Sequence, residues 1–182
     1  MKYSSESFIG KNGTEYMLRS PEPCDAEAMI AYLKATAGET EFGLSYPEEL
    51  NFTVADEVEF INHYSESDGN IMITAFDGHQ LIGNASLSCV MDRYKTRHRA
   101  TFGMAILKEH WGQGLGRKIL SELISFATTA GYEQLELEVA AENLTAVSLY
   151  KSLGFEIYGE RKHSLKRKSG GYSDEYLMIL EL

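Results

Sequence analysis

The spacing of apolar and polar residues along the chain predicts seven strands and four helices. In the expected strands, apolar residues alternate with polar ones or run on with β-branched neighbours. These strands are residues 14–19, 70–76, 81–91, 101–107, 134–139, 155–161 and 175–182. In the expected helices, apolar residues recur at helical spacing, and Thr53 with Asp56 forms a capping-box pattern at one helix start. These helices are residues 26–35, a segment that starts at Thr53, and residues 115–130 and 143–153.

The order of these elements predicts an α/β protein with a mixed sheet and helices on both faces. The second and third strands flank Asp77 and Gly78, which favour a tight hairpin turn. The chain contains no internal repeat and no low-complexity tract, so we expect a single domain over residues 14–182. Residues 1–13 are polar and rich in Ser, Lys and Gly, and we expect this segment to be frayed.

Composition narrows the class of protein. With 182 residues, 43% hydrophobic and 24% charged, the chain has the size and balance of one globular domain. It has no early apolar run of signal-peptide type and no run of about 18 apolar residues, so we expect neither secretion nor a membrane span. Cys24 and Cys89 lie in unrelated contexts, which argues against a disulfide framework or a zinc site. We therefore expect a cytoplasmic protein that uses no metal.

Charge is distributed unevenly along the chain. The net charge of −10 argues against a nucleic-acid partner. Residues 35–66 hold eight acidic residues and no Lys or Arg, whereas residues 161–168 hold five basic residues and no acidic one. A solvated helix face is the more common explanation of such an acidic stretch, and attraction of a cationic substrate is the alternative. Both interpretations stay open at this point.

Three glycines at every second position mark the junction between the strand at residues 101–107 and the following helix. They are Gly112, Gly114 and Gly116, and Arg117 follows directly. Glycine weakens both strands and helices, so its repetition there indicates that a ligand approaches the backbone closely. The first amides of a helix lack intrahelical partners and lie at the positive end of the dipole, which favours a pyrophosphate. The alternative is a tight turn that binds nothing.

A second informative stretch surrounds Asn143 and Tyr150. Asn143 lies between a predicted strand and a predicted helix, where its amide can cap the helix and also reach a ligand. Tyr150 follows seven residues later, on the same face of that helix. Its phenol is therefore expected to point at the ligand that Asn143 contacts. The alternative is a half-buried aromatic residue whose hydroxyl is already hydrogen-bonded.

Together the two stretches resemble the GNAT superfamily of acyl-CoA-dependent N-acetyltransferases. In that family a Gly, one residue, and a Gly or Ala open a helix after a strand, and Gly114 and Gly116 fit this motif. The later family motif is an Asn, a small residue three positions on, and a Tyr ahead of Gly-Phe. It is matched by Asn143, Ala146, Tyr150, Gly154 and Phe155. Trp111 departs from the usual Arg or Gln, and residues 99–107 lack the catalytic glutamate that some members carry there.

The resemblance implies a GNAT-like fold with a central, mostly antiparallel sheet, a parallel pair between the fourth and fifth strands, and helices on both faces. It implies acetyl-CoA as the co-substrate, with its pantetheine arm paired to the backbone of Ile106 and Leu107. Asn143 is expected to bond the pantetheine, and Tyr150 is expected to lie near the sulfur. The implied cofactor-binding set is Ile106, Leu107, Trp111, Gly112, Gln113, Gly114, Leu115, Gly116, Arg117, Asn143 and Tyr150.

The implied activity is transfer of the acetyl group from acetyl-CoA to a primary amine of a small molecule, by direct attack in a ternary complex. The amine must lose a proton before it attacks, and the departing thiolate must gain one. Tyr150 is the expected general acid. Glu136 and Glu138 face the same side of a central strand and are the candidate bases. Glu41, His98 and a water molecule acting alone are the weaker alternatives.

Two other functions fit the same pattern. One is acetylation of a protein N-terminus or lysine, which needs an open groove, and the other is a non-catalytic acyl-CoA-binding sensor module. The acidic stretch favours a cationic amine, whereas the basic stretch favours a CoA phosphate or an acceptor with a carboxylate, so the acceptor stays open. We expect no nucleic-acid or membrane partner, and the oligomeric state is open, a homodimer included.

Overall fold

The computed structural model describes residues 2–182, in which eight strands form one sheet. The strands are β1 (Glu6–Ile9), β2 (Glu15–Arg19), β3 (Ile71–Asp77), β4 (Gln80–Cys89), β5 (Arg99–Ile106), β6 (Gln134–Ala140), β7 (Glu156–Lys166) and β8 (Tyr172–Glu181). Their order across the sheet is β1-β2-β3-β4-β5-β6-β8-β7. The α-helices are α1 (Ala26–Glu39), α2 (Val54–Glu66), α3 (Leu115–Thr129) and α4 (Leu144–Ser152). This arrangement is the mixed α/β architecture that was predicted.

The strand directions confirm a mostly antiparallel sheet with one parallel pair. Every neighbouring pair is antiparallel except β5 and β6. The prediction placed the parallel pair between the fourth and fifth predicted strands, at residues 101–107 and 134–139. These are the observed β5 and β6, and the number differs by one because β1 precedes the strands that were predicted. The pair is parallel because α3 carries the chain from the end of β5 back to the start of β6.

Residues 6–9, which were expected to fray, instead form β1. All four residues pair with β2 at the edge of the sheet. Only Phe8 is partly buried, and Glu6 forms an ion pair with Lys118 of α3. A short strand held mainly by backbone pairing has little apolar periodicity, which is why the sequence pattern missed it. Met1 lies outside the described residues.

Helices cover both faces of the sheet, as predicted. The first six residues of β3 are all buried, so both faces of that strand are covered. Since β3 contacts α2 as well as α3, α2 lies on one face with α1 packed against it, and α3 lies on the other. Within residues 2–182, no helix combines the length and the apolar character needed to cross a bilayer.

Capping and turn residues in the sequence correctly predicted where most helices and strands begin and end. At the start of α2, Asp56 N donates to Thr53 Oγ (3.2 Å) and Thr53 N donates to an Asp56 carboxylate oxygen (2.7 Å), which is the predicted capping box. The β3–β4 hairpin turns at Gly78, whose φ of +56° suits glycine. By contrast α1 runs on to Glu39, past its predicted end, because no proline stops it.

The parallel strands β5 and β6 separate after three paired positions. Pairing covers residues 99–101 and 134–136, although both strands continue beyond these positions. Residues 102–106 of β5 and residues 137–140 of β6 therefore border an opening, which we call the wedge. The backbone groups along it have no partner strand and can pair with an extended ligand.

Tyr32 of α1 shapes the other edge of β5. Its buried hydroxyl donates to Ala105 O (2.7 Å) and accepts from Asn84 N (3.1 Å), so it replaces a direct bond between β4 and β5. Burial raises the pKa of the Tyr32 phenol, which keeps the hydroxyl protonated as a donor. This bridge determines the position of the part of β5 that borders the wedge.

Candidate active site

The turn between β5 and α3 has a backbone conformation that favours glycine. Gly112 and Gly114 have φ angles of +77° and +92°, in the left-handed region. Gly114 is also the N-cap of α3, and no side chain caps this helix start. At Gly116 the reason is different, because an added Cβ would lie 3.2 Å from Leu149 Cδ2 on α4. The turn therefore exposes backbone where most helices place a capping side chain.

The amides of residues 112–117 donate no hydrogen bond to any residue in the described chain. The first bond of the α3 ladder runs from Lys118 N to Gly114 O (3.0 Å), so the amides of residues 115–117 precede it. The positive end of the helix dipole lies at the same place. A run of unpaired amides with this polarity is suited to binding the oxygens of a diphosphate.

Residues 8–12 of the N-terminal segment contact this turn and hold it in position. Lys11 N donates to Gln113 O (3.2 Å), and Asn12 N donates to Gln113 Oε1 (3.0 Å). The ring of Phe8 lies 3.4 Å from the position of a Cβ on Gly114. The sequence pattern missed these contacts because they join residues about a hundred positions apart. Gln113 is therefore a residue that positions the turn through its side chain and its carbonyl.

The two basic side chains in the first turn of α3, Arg117 and Lys118, are already bound by neighbouring residues. Arg117 Nη2 donates to Ser152 Oγ (2.6 Å), at the end of α4. Lys118 Nζ lies 2.9 Å from a Glu6 carboxylate oxygen and 2.7 Å from Glu122 Oε1. The backbone amides are therefore the main donors available at this turn.

Of the two residues expected to pair with an extended ligand, Ile106 borders the wedge and Leu107 does not. Leu107 N donates to Ile82 O (2.8 Å), so the expected pairing through the Leu107 amide is wrong. Successive residues of a strand direct their backbone groups to opposite sides, which places the groups of Ile106 on the wedge side. Ile106 O accepts from Trp111 Nε1 (2.6 Å), and this bond ties the turn to the strand end.

Asn143 lies at the start of α4, as the sequence predicted. Its Oδ1 accepts from Ala146 N (3.2 Å) and so caps the helix. The side-chain nitrogen donates no hydrogen bond within residues 2–182, which leaves it available to a ligand. The capping part of the prediction is therefore confirmed, and the contact of Asn143 with a ligand stays a prediction.

Tyr150 faces the wedge from α4. Its ring packs edge-to-face on Phe102 of β5, with centroids 5.8 Å apart, and against Phe155 at 5.9 Å. The residue is 7% exposed, and burial raises the pKa of its phenol to about 12. Its hydroxyl has no partner in the described chain and is not among the fully enclosed unpaired atoms. The hydroxyl therefore opens onto accessible space, unlike the hydrogen-bonded alternative.

The structure disfavours Glu136 and Glu138 as bases, although both lie on one face of β6 as predicted. Arg99 binds both oxygens of Glu136, at the closed end of the wedge. Arg161 binds both oxygens of Glu138, at 2.6 and 2.8 Å, and this contact lowers the pKa of that carboxyl. A carboxylate whose charge is stabilised in this way is a weak base. The sequence pattern could not reveal these partners on other strands.

The two weaker base candidates also lie outside the wedge. His98 immediately precedes β5, about 25 Å along the strand from Ile106. Glu41 lies in the connection between α1 and α2, 3.9 Å from Arg167 Nε. Residues 2–182 contain no cluster of three or more metal-type side chains.

The acidic and basic stretches of the chain bind each other. Lys168 forms an ion pair with Glu48, its Nζ lies 4.2 Å from the Tyr46 ring centroid, and its backbone amide donates to Tyr46 Oη (2.8 Å). We call this contact between residues 40–49 and 167–169 the strap. Glu48 and Lys168 therefore neutralise each other, and attraction of a substrate by the other charges of either stretch stays a prediction.

A cavity of about 140 Å³ lies between the two sides of the strap. Its walls come from the α1–α2 connection and from the end of β7. The lining residues are Thr40, Glu41, Gly43, Leu44, Ser45, Tyr46, Ser164, Leu165, Lys166 and Arg167. Both polar and apolar side chains are present, and the volume suits a small molecule or the tip of a longer one.

A buried carboxylate near this cavity was missed by the sequence analysis. Glu175 of β8 is 3% exposed and accepts hydrogen bonds from Ser164 and Arg161. In the sequence, Glu175 looks like any polar residue of an alternating strand. Nothing there indicates that it is buried, because its burial depends on the neighbouring strand β7. Ser164 reaches it because β7 bulges between Arg161 and Leu165.

Known proteins are similar to this chain in sequence and in fold. The sequence model of the acetyltransferase (GNAT) family matches residues 36–155. An acetyltransferase of the GNAT family from Streptococcus pneumoniae has a similar structure, with a TM-score of 0.87, 30% identity, and coverage of 92% of this chain and 99% of that one. The [ribosomal protein bS18]-alanine N-acetyltransferase of Salmonella typhimurium is 31% identical over 126 residues, 69% of this chain and 80% of that protein.

More distant structures agree in fold. The structure of yncA, a putative acetyltransferase from Salmonella typhimurium with its cofactor acetyl-CoA, has a TM-score of 0.80 and 20% identity, covering 92% of this chain and 94% of that one. The chain spans less than half the length of the first curated relatives it matches, namely 26%, 48% and 20% of them.

Replacing Gly114 by Ala tests the turn directly. At a φ of +92° alanine is strained, so the substitution shifts the amides of residues 112–117. We expect a roughly tenfold or greater loss of affinity for coenzyme A, measured by titration calorimetry. The matched control is Gly78→Ala, which introduces similar strain in the β3–β4 turn and should leave the affinity unchanged. Equal affinities in all three proteins would contradict this assignment of the turn.

Proposed function

Because the chain belongs to the GNAT family of acetyltransferases, we propose that it transfers the acetyl group of acetyl-CoA to a primary amine of a small molecule. The observation that carries the proposal is the run of unpaired amides at residues 112–117 beside the open edge of β5. The amides bind the diphosphate, and the pantetheine arm lies in the wedge. This path directs the thioester toward Tyr150.

The wedge supplies what an extended pantetheine arm requires. Met104 and Ile106 direct backbone groups into it, and pantetheine carries amides that pair with such groups as another strand would. The side-chain nitrogen of Asn143 donates to the arm from the opposite side. The binding site is therefore built mainly of backbone, which explains why Trp111 in place of the usual Arg or Gln is compatible with it.

Chemistry at the thioester requires two proton transfers. The acceptor ammonium first loses one proton to water, and the neutral amine then attacks the carbonyl carbon to form the C–N bond of a tetrahedral intermediate. The C–S bond breaks as this intermediate collapses, and the second proton lost by the nitrogen replaces the one that Tyr150 gives to the thiolate. Amides of β5 that face the wedge stabilise the oxyanion of the intermediate. Tyr150 donates a hydrogen bond and then a proton to the departing thiolate. Its pKa of about 12 keeps the phenol protonated at neutral pH.

Water is the base that best fits the described side chains. Glu136 and Glu138 are each bound by an arginine, and β5 carries no carboxylate along the wedge. Thr101, Gly103 and Ala105 leave an exposed strip on β5 where water and the acceptor can meet. A free amine also deprotonates in solution to a small extent at pH 7.

The strap supports a small molecule rather than a polypeptide as the acceptor. Contacts of Lys168 with Glu48 and Tyr46 join the two sides of the acceptor cavity. A polypeptide needs an open groove in order to lie across the sheet. The cavity of about 140 Å³ accommodates only a few heavy atoms at a time.

The proposed activity is tested by measuring release of the CoA thiol with a panel of polyamines, aminoglycosides, amino acids and peptides. We expect at least one small amine to give a kcat/KM at least tenfold above that of any peptide. Release with peptides alone would contradict the small-molecule assignment and favour a protein acceptor. Tight acetyl-CoA binding with no release on any amine would instead favour a sensor module.

Replacing Tyr150 by Phe removes the proposed proton donor and keeps the aromatic packing against Phe102. We expect kcat to fall by about 100-fold or more, with the Kd for acetyl-CoA unchanged within about twofold. Tyr158→Phe is the matched control, since that side chain is 57% exposed on β7. An unchanged kcat in the Tyr150 variant would remove this residue from the mechanism.

The pH profile gives an independent test of Tyr150. The neutral amine is the nucleophile, so kcat/KM for an alkylamine rises as pH increases toward the amine pKa near 10. Tyr150 must be protonated in order to donate, and its pKa of about 12 keeps it so throughout this range. We therefore expect no descending limb between pH 6 and 10. A descending limb in this range that persists in Tyr150→Phe would arise from another group, whereas one that Tyr150→Phe abolishes would contradict the raised pKa of Tyr150.

A further inference from the structure

We propose that Glu175 binds a positively charged amino group of the acceptor. The inference rests on the proposed function, and it names the acceptor class as a cationic amine held by one buried carboxylate. Three observations carry it: the face of the sheet on which Glu175 lies, its free oxygen, and the net charge around it.

The register of the sheet places Glu175 on the face opposite α3. Met104 and Ile106 pack toward Gly116 of α3, so Thr101, Gly103 and Ala105, which alternate with them along β5, point to the other face. Thr101 pairs with Glu136, and residues that pair directly share a face. The acceptor-side face thus continues from β5 onto β6 at Glu136.

The same register extends from β6 to β8. Glu136, Glu138 and Ala140 alternate along one face of β6, and Ala140 pairs with Glu175. Ala140 and Ala105 are each four residues beyond the paired positions Glu136 and Thr101. Glu175 therefore lies at the level of Ala105, across the open part of the wedge.

One oxygen of Glu175 is left for a ligand. Ser164 Oγ and Arg161 Nη1 both donate to Oε2, the latter at 3.2 Å. No hydrogen bond in residues 2–182 ends on Oε1, although the residue is 3% exposed. Oε1 is not among the fully enclosed unpaired atoms, so it opens onto accessible space. Glu175 does not itself line the cavity, but Ser164, which does, donates to its Oε2 and so joins the carboxylate to the cavity wall.

The charges around Glu175 favour a cation. Arg161 carries one positive charge and contacts two carboxylates, those of Glu138 and Glu175. Its two contacts with Glu138 are the shorter ones, at 2.6 and 2.8 Å. The three groups together carry a net charge of −1, and an ammonium hydrogen-bonded to Oε1 neutralises it.

The test compares Glu175→Gln with wild type in CoA release, using a primary alkylamine and the diamine of the same chain length. Glutamine keeps the shape and hydrogen bonds of the site but removes its charge. We expect the KM for at least one of the two amines to rise about 10- to 100-fold at pH 7. The kcat and the Kd for acetyl-CoA should stay within about twofold.

Two controls separate ligand binding from a structural role. Glu160→Gln removes the same charge from the neighbouring strand, where the Glu160 carboxylate forms an ion pair with Lys162, and should leave both KM values unchanged. Glu175→Asp keeps the charge and should raise KM less than Glu175→Gln does. An equal rise in Glu160→Gln and Glu175→Gln, or unchanged KM values in Glu175→Gln, would overturn the proposal. Absence of CoA release in the wild type would instead contradict the proposed function.

Discussion

The rest of this site depends on six backbone amides, at residues 112–117, that find no acceptor within residues 2–182. A capping side chain usually binds some of the free amides at a helix start. The N-cap of α3 is Gly114, which has no side chain to do so. Contacts from three parts of the chain hold the left-handed backbone at Gly112 and Gly114 in place. The N-terminal segment bonds Gln113, the Trp111 indole bonds the end of β5, and α4 packs against Gly116. Rigid support of this kind lets the amides bind an anion without first being ordered.

The wedge and the turn place two halves of one reaction on opposite faces of the sheet. On the α3 and α4 side, the Tyr150 hydroxyl and the amides surround the proposed coenzyme. On the other side, the strap and the buried carboxylate of Glu175 border the space left for the acceptor. In the proposed reaction the coenzyme and the acceptor meet where β5 and β6 have separated, beyond residues 99–101. The sheet thus separates the two faces, and the wedge connects them. Contacts between the acidic and basic stretches stabilise the acceptor-side face.

Sequence reasoning succeeded where the deciding physics is local. Alternation and capping signals located most strands and helices, and the glycine spacing located the turn, because backbone conformation there depends on neighbouring residues. It failed where long-range partners decide. The strand at residues 6–9 forms through pairing with β2, and Leu107 loses its predicted role because β4 uses its amide. The alternation of polar and apolar residues along β6 suggested Glu138 as a base. In the fold, Arg161 from another strand binds both oxygens of Glu138. Glu175 carried no local signal, since its contact with Ser164 depends on the bulge in β7.

Hydrogen–deuterium exchange of the turn amides tests the central claim most directly. The exchange rates of residues 112–117 are measured in the free protein, with acetyl-CoA, and with a pantetheine thioester that lacks the diphosphate. The account predicts strong protection of these amides by acetyl-CoA and little by the truncated thioester, because the diphosphate oxygens are their acceptors. Protein that binds acetyl-CoA while these amides exchange as fast as in the free state would contradict it.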